Sequence, residues 1–397
     1  MRSIIKKIMT LVVVVIAFAM TGSISDAAEA VYTPAKVTDV QRMPEMTFRT
    51  AIIPVESSVV IPIKIPSKGG IWLYHSYQGY DLHGKIYEDA SCTIVHDSTD
   101  ITEYSKSSWY PDMRRGDIEF EKAGTYYLKL ENGHDYGQGT ISISMAAFFF
   151  DGTDRDVQSG RTYASYRLHN ESFTLYKFKA NKTGYLNVDP TEIKGSYVYV
   201  KLLDSNKREL SDTIATVKDD SYTGVGVQTT SRRDYVKIEK ASFGVQKGKI
   251  YYIAVLPAIK GPYESGEYNI KFTLKGVKEK SGGKKSDAVT IKRNTTVKGT
   301  QIVNGKKNGS DWYKIKLTRK QKVKFCVKGD TTGSHSGLKI NIVPADKKHQ
   351  KYKMTFSIPK NGTETITTAK KLPKGIYYIQ VFKSDKRANG YYTIKWK

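Results

Sequence analysis

The chain has no His-Glu-x-x-His, no Gly-x-Ser-x-Gly and no glycine-rich loop closed by Lys-Ser or Lys-Thr. The usual signatures of zinc proteases, serine hydrolases and nucleotide hydrolases are therefore missing, and catalysis would need an unsignalled site. Cysteine is nearly absent. Cys92 and Cys326, the two in 397 residues, lie too far apart to staple one small domain. Each folding unit must then hold itself together by burying apolar area. After the first thirty residues no apolar run is long enough to span a bilayer, no cysteine follows the leader to carry a lipid, and the end at Lys397 bears no hydrophobic sorting tail. No apolar pattern sustains a helix of three turns. What remains is expected to be a non-enzymatic protein that needs no cofactor and no metal.

The first thirty residues read as an export signal. Lys6 and Lys7 give a basic start, Leu11 to Met20 an apolar stretch, and Ser25-Asp-Ala27 or Ala28-Glu-Ala30 a small-residue cleavage site. A signal peptide over residues 1–30 predicts a secreted or cell-surface-associated protein with no integral membrane anchor after cleavage.

The rest of the chain repeats one two-part phrase three times. Gly124-Thr-Tyr126-Tyr127-Leu128 is followed by Gly139-Thr-Ile141-Ser-Ile143, Gly248-Lys-Ile-Tyr251-Tyr252-Ile253 by Gly266-Glu-Tyr268-Asn-Ile270, and Gly375-Ile-Tyr377-Tyr378-Ile379 by Gly390-Tyr391-Tyr392-Thr-Ile394. A glycine turn feeding an aromatic, alternating run predicts a strand, and one tyrosine of each pair should face the core. An interval of roughly 125 residues suits a whole domain better than a solenoid repeat. The expected fold is all-β, with three tandem antiparallel β-sandwich, jelly-roll-like domains at residues 31–150, 151–279 and 280–397. Residues 31–50 should form an extended lead-in, and residues 151–156 and 276–287 exposed linkers.

Each copy also opens on alternating segments around a short polar turn. Leu175-Tyr176-Lys177-Phe178-Lys179 before Gly184-Tyr185-Leu186 matches Trp312-Tyr313-Lys314-Ile315-Lys316 before Val323-Lys-Phe325, with Ile61-Pro-Ile63-Lys64-Ile65 before Ile71-Trp72-Leu73 in the first copy. Such a pattern suggests a hairpin with one buried face.

The order of a Tyr-Lys-Phe-Lys-type strand, a second alternating strand, an apolar strand ending in Asp204-Ser-Asn206 or Ala345-Asp346-Lys347, then Gly-Ile-Tyr-Tyr-Ile and Gly-Tyr-Tyr-Thr-Ile, resembles the bacterial pre-peptidase C-terminal domain family. The resemblance covers most of residues 55–397. It implies β-sandwich modules of the kind appended to secreted proteases and related to the collagen-binding modules of clostridial collagenases. Here no peptidase is attached, so it implies no role in proteolysis. Related modules bind calcium near their linkers, and Asp151, Asp154 and Asp156 offer oxygen ligands at such a place. The alternative is a turn or capping role for the three carboxylates, which lack the distal Glu of an EF-hand.

Charge separates the copies. Residues 280–397 carry 29 Lys and Arg against 6 Asp and Glu, a net of +23, whereas residues 28–279 hold 32 of each sign. A unit of one charge sign favours an anionic partner. If Arg319-Lys320-Gln321 tips a hairpin, Tyr313, Ile315, Phe325 and Val327 are buried, and Lys316 lies opposite Lys324. Lys314, Lys316, Arg319, Lys320, Lys322, Lys324 and Lys328 are the candidate anion-binding residues. Edge protection by lysine is the competing explanation.

Two other places carry side chains with chemical potential. Trp109-Tyr110 follows Ser105-Lys-Ser-Ser and reads as a loop whose aromatics either stack on a ligand or fold over their own core. Cys92 lies near His75, His83 and His96 in sequence, a thiol–imidazole set or separate strand positions. The functional expectation is an exported adhesion or surface-binding protein holding an anionic polymer, such as cell-wall teichoic acid, through its basic C-terminal unit. The alternative is a carbohydrate, collagen or matrix-protein binder using the first two units, with an unrecognised hydrolase third. Nucleic acid suits the charge but not the export signal.

Overall fold

The computed structural model describes residues 31–397 except 39–43, 46, 78–81, 98–105, 108–109, 134–138, 169–172, 194–197, 212–213, 217–224, 230–231, 237–240, 258–265, 304–308 and 332–336. Among the described residues the regular structure is strand, apart from short 3-10 turns at Lys285–Asp287 and Lys347–Tyr352. No helix there is long and apolar enough to cross a membrane.

Three pairs of sheets share one plan. Sheet 1 runs Ser57–Ile65, Gly124–Asn132, Leu82–Tyr87, Val95–Asp97. Sheet 2 runs Ala35–Val37, Ile141–Asp151, Gly69–Tyr77, Tyr110–Phe120, Lys106–Ser107, with Arg49–Ile53 also on Ile141–Asp151. Sheet 3 runs Arg155–Val157, Thr174–Lys179, Ile250–Pro257, Val198–Leu203, Ile214–Thr216, and sheet 4 runs Thr162–Arg167, Gly266–Gly276, Gly184–Ile193, Ala241–Val245. Sheet 5 runs Val289–Thr290, Ser310–Leu317, Gly375–Lys383, Leu338–Pro344, Met354–Ser357, and sheet 6 runs Thr296–Gln301, Gly390–Trp396, Lys324–Asp330, Asn361–Thr367. A separate ribbon pairs Val225–Thr229 with Arg232–Val236.

The repeated phrase sets this plan. Ser57–Ile65, Thr174–Lys179 and Ser310–Leu317 each pair antiparallel with the Gly-Tyr-Tyr strand of their copy, so that Ile63, Phe178 and Ile315 oppose Tyr126, Tyr251 and Tyr377. Those three tyrosines are 3%, 5% and 1% exposed, while Tyr127, Tyr252 and Tyr378 are half-buried on the other face. The Tyr126 and Tyr377 hydroxyls donate to the carbonyls of Lys122 and Pro373, which fastens each strand entry to the turn before it. One apolar cluster fills each sheet pair, drawing Ile61, Leu128, Ile71 and Phe149 from sheets 1 and 2, Phe178, Ile253, Phe243 and Phe272 from sheets 3 and 4, and Ile315, Ile379, Phe325 and Ile394 from sheets 5 and 6.

The expected hairpins do not form. Ser310–Leu317 lies in sheet 5 and Lys324–Asp330 in sheet 6, and the corresponding strands of the other copies are divided in the same way. Alternation predicts which side chains are buried, and Tyr313, Ile315, Phe325 and Val327 are each fully so. It does not choose the pairing partner. An arch that sends consecutive strands to opposite sheets buries both apolar faces against each other, whereas a hairpin would leave both needing another cover.

The segment expected as lead-in and parts of the expected linkers are built into the fold, while residues 283–287 are exposed. Tyr32 is 9% exposed and bridges to Ile63, and Ala35–Val37 pairs in parallel with Phe148–Phe150. Asp151 is 7% exposed, and Gly282 pairs with Trp312. Contacts also cross between sheet pairs. Val37, Phe148, Phe150, Ala164, Tyr166 and Leu168 form a second apolar cluster joining sheets 2 and 4, and Trp72 Nε1 donates to Glu267 at 3.1 Å. Gly70 is required there, because a Cβ at that position would come within 2.2 Å of the Tyr166 ring. Farther along, Val303 enters the cluster between sheets 3 and 4, its N–H donates to Gly244 O, and Gly244 N–H donates to Asn389 Oδ1.

Position in the strand decides the cost of truncation. Ile379 is fully buried and Ile376, three residues earlier, is 41% exposed. Ile379→Ala should lose about 2–5 kcal/mol in urea unfolding, and Ile376→Ala no more than about 0.5 kcal/mol. Equal losses would contradict the assigned strand faces.

Candidate functional site

The outer face of sheet 6 is an array of lysine and threonine. One row across its strands reads Lys298, Thr393, Lys328, Thr363, and the next reads Thr296, Lys395, Cys326, Thr365. At the end of the sheet Lys324 exchanges backbone hydrogen bonds with Lys397 and opposes Thr367. Lys298, Lys324, Lys328 and Lys397 are exposed and Lys395 half-buried. In the first row Thr393 separates Lys298 from Lys328, and in the second Lys395 has neutral neighbours on both sides, so no like charges stand directly opposite one another in these rows. The other end of the face carries Asp330 opposite Tyr391 and Asn361, and Tyr391 stacks on Tyr185 of sheet 4 at 4.6 Å.

The outer face of sheet 5 is mixed. Lys314 opposes Tyr378, Lys316 opposes the exposed Ile376, and Lys339 lies between Phe382 and Ser357. Lys285 sits 4.7 Å over the Tyr378 ring, a cation–π contact.

The lysines expected from sequence are thus not one patch. Lys314 and Lys316 lie on sheet 5, Lys324 and Lys328 on sheet 6, and Arg319, Lys320 and Lys322 are on the segment that crosses between them, with exposed side chains. Lys316 opposes Ile376 rather than Lys324, which opposes Thr367. Sequence reasoning missed Lys298, Lys395 and Lys397. The alternation of Tyr392, Ile394 and Trp396 with Thr393, Lys395 and Lys397 was the available signal.

A second polar centre lies inside the third sheet pair. The Tyr313 and Tyr392 hydroxyls are 3.0 Å apart, and Tyr392 donates to Asp311 Oδ2 at 2.6 Å. Gln301 Nε2 donates to the same oxygen at 2.5 Å, and Ser281 Oγ stands 2.6 Å from Glu279 Oε1 and 3.3 Å from Asp311 Oδ1. Glu279 also accepts the Thr300 N–H. Burial, and then the neighbouring Glu279 charge, push the Asp311 carboxyl up to about 7. The corresponding place in the second pair holds Tyr176 and Tyr268, with hydroxyls 2.5 Å apart, and the guanidinium of Arg155 bonded to Asp151 O, Ala164 O and Ser165 Oγ. In the first pair the matching residues are the buried Ile61 and Ile141.

Asp151, Asp154 and Asp156 do not converge. Asp151 takes Lys36, Ser67 and Thr153, Asp154 accepts the Leu175 N–H, and Asp156 faces Lys177. Among the described residues no three His, Cys, Asp or Glu side chains are grouped to hold a metal. Cys92 sits in a turn at φ 56°, while His96 is stacked on Phe120 with Nε2 at 2.6 Å from Glu119 O, and His75 is buried in sheet 2. Each therefore has its own surroundings. Tyr110, expected in a loop, opens the strand Tyr110–Phe120, held by its pairing with Gly69–Tyr77 farther along; Trp109 lies outside the described residues.

No family model matches the chain, and no curated protein matches it. Among solved structures, the pre-peptidase C-terminal domain of a Bacillus anthracis collagenase is similar over 28% of this chain and 94% of that one, at 21% identity and a TM-score of 0.22. The CUB1-EGF-CUB2 region of human MASP-1/3 covers 57% of this chain and 99% of its own, at 10% identity and a TM-score of 0.17. The M60 catalytic domain with two CBM51 domains from Clostridium perfringens ZmpB covers 87% and 33%, at 10% identity and 0.17. Likenesses of this size say nothing about ligand or activity.

The Asp311 centre should make stability depend on pH. A carboxyl raised in the fold keeps a proton that the unfolded chain has already lost, so stability falls as pH rises from the ordinary carboxylate range toward about 7. Asp311→Asn should flatten the fall in urea midpoint between pH 5 and pH 8, followed by tryptophan fluorescence. An unchanged slope in the variant would remove Asp311 as its source.

Proposed function

We propose that this is an exported, non-enzymatic surface-binding protein that holds an anionic polymer through residues 280–397. A wall polymer of the teichoic acid type is the favoured ligand, with residues 31–279 acting as spacer or secondary surface. The observation that carries the reading is the separation of charge, +23 in residues 280–397 against balance in residues 28–279. In the third sheet pair Lys298, Lys324, Lys328 and Lys395 stand on the outer face of sheet 6, and most of the other cations lie on turns and connecting segments. The paired rows of sheet 6 between Lys298 and Thr363, and between Thr296 and Thr365, contain no acid.

Such an excess raises the folded state's self-repulsion and attracts polyanions over distances of a Debye length. Lysines two residues apart on a strand stand about 7 Å from one another, and those two strands apart about 10 Å. A partner with closely repeated charges can therefore engage several at once.

The whole chain should be retained on immobilised polyglycerol phosphate at 0.1 M salt and released well before 1 M, as the screening length falls from about 10 Å to about 3 Å. Flow-through at 0.1 M, or retention indifferent to salt, would count against attachment by charge. Retention on collagen or neutral glycan instead would move the binding surface to residues 31–279.

A further inference from the structure

The array on sheet 6 defines a narrower partner than net charge alone. We infer that the Lys298, Lys328 and Lys395 face of sheet 6 is the attachment surface, and that it fits a linear polyol phosphate without flat rings, laid across the strands. This rests on the polyanion reading above and adds the face and the chemical class.

Three features support the assignment. Lys298 and Lys328 flank Thr393, and Lys395 follows two residues along the same strand, so three ammonium stems surround one hydroxyl. Phosphate oxygens would meet point charges from lysine and short donors from threonine, with no arginine fork on these rows to demand a fixed bidentate geometry. The face is also open. Lys298, Lys324, Lys328, Thr363, Thr365 and Thr367 are exposed, and Lys395 and Thr393 are half-buried only as members of a central strand.

The third feature is the lack of an aromatic platform. Single-stranded nucleic acid gains much of its affinity by stacking bases on aromatic side chains. On the paired rows of this face the aromatic residue is Tyr391, and its ring is already stacked on Tyr185. Bases would find lysine and threonine but no ring. A chain of phosphates joined by flexible aliphatic polyols needs none. The sheet 5 face is the opposite case, since its lysines stand beside Tyr378, Ile376 and Phe382.

The test uses the whole chain and measures Kd for polyglycerol phosphate, heparin and oligo-dT at 0.1 M salt. The triple variant Lys298→Glu, Lys328→Glu, Lys395→Glu should bind polyglycerol phosphate about tenfold more weakly or worse, since three charge contacts on this face are reversed. A control with the same charge change, Lys347→Glu, Lys348→Glu, Lys351→Glu on the exposed 3-10 turn, should stay within about threefold of the parent if contact rather than net charge dominates. Lys298→Gln, Lys328→Gln, Lys395→Gln, which introduces no new repulsion, should show an intermediate loss and keeps the test valid if the glutamate triple misfolds by near-ultraviolet circular dichroism. Equal losses in the face and control triples would overturn the assigned face. Oligo-dT bound as tightly as polyglycerol phosphate would overturn the choice against flat rings, and heparin bound as tightly would overturn the choice of a polyol phosphate. A parent chain that binds none of the three polymers would instead defeat the attachment reading itself.

Discussion

The requirement that two sheets bury their inner faces against one another governs the rest of this structure. A sandwich core is an apolar slab fed from both sides, and consecutive alternating strands can complete it only by arching from one sheet to the other. Tyr313 and Ile315 enter from sheet 5, and Phe325 and Val327 from sheet 6. The short polar segment between them, Thr318 to Lys322, must therefore cross the end of the sandwich. Lysines at the even positions of the two strands are thereby sent to opposite outer faces, however close they stand in sequence.

Covering the outer faces is the next consequence. Sheet 2 gives part of its outer face to the Trp72, Phe148 and Phe150 contact with sheet 4, and the Ala241–Val245 edge of sheet 4 receives Val303 and Asn389. Lysine could not occupy those surfaces without losing its hydration. Between Lys298 and Thr363, sheet 6 has no such neighbour among the described residues, so lysine stems can lie along the sheet with their ammonium groups in water. The lysines of this outer face thus stand where no other sheet pair covers them among the described residues.

Sequence made strand existence and facing legible, because period-two alternation reports burial directly. The alternation of Tyr126 with Tyr127, Tyr251 with Tyr252 and Tyr377 with Tyr378 placed one ring of each pair inside, as the structure has it. Pairing was not legible in the same way. The same Tyr-Lys-Ile-Lys pattern satisfies a hairpin or an arch, and the choice depends on which distant strand completes the sheet. Neighbourhood in sequence therefore groups Lys316 with Lys324, and leaves Lys298 and Lys395, almost a hundred residues apart, unjoined although they stand diagonally on neighbouring strands. The Asp311 centre was invisible for a related reason. Glu279 and Ser281 stand in what reads as a polar linker, and only the docking of that segment brings them to the strand carrying Asp311.

The three equivalent interior places show how one framework tolerates different polar solutions. Ile61 and Ile141 need no partner. Tyr176 and Tyr268 share their hydroxyls beside Arg155, whose guanidinium bonds to two carbonyls and Ser165. Tyr313 and Tyr392 lean on Asp311, which must keep a proton or repel Glu279. That last solution bears on more than its own core. Gln301, which donates to Asp311, is followed by Ile302, whose carbonyl accepts from Lys383, and by Val303, which is buried in the core of the second sheet pair. Lys383 is 6% exposed, and burial pushes its ammonium down to about 8. One short segment therefore joins two sheet pairs while being held by a carboxyl raised toward neutrality and an ammonium lowered toward it. The two groups respond to pH with opposite signs. Asp311 withdraws stability as pH rises toward about 7, because its proton is lost later in the fold than in the unfolded chain. Lys383 returns stability above about 8, because its buried ammonium discharges in the fold before it does in the unfolded chain. Rising pH therefore weakens this junction through Asp311 and strengthens it through Lys383, so one segment carries two titrations of opposite sign.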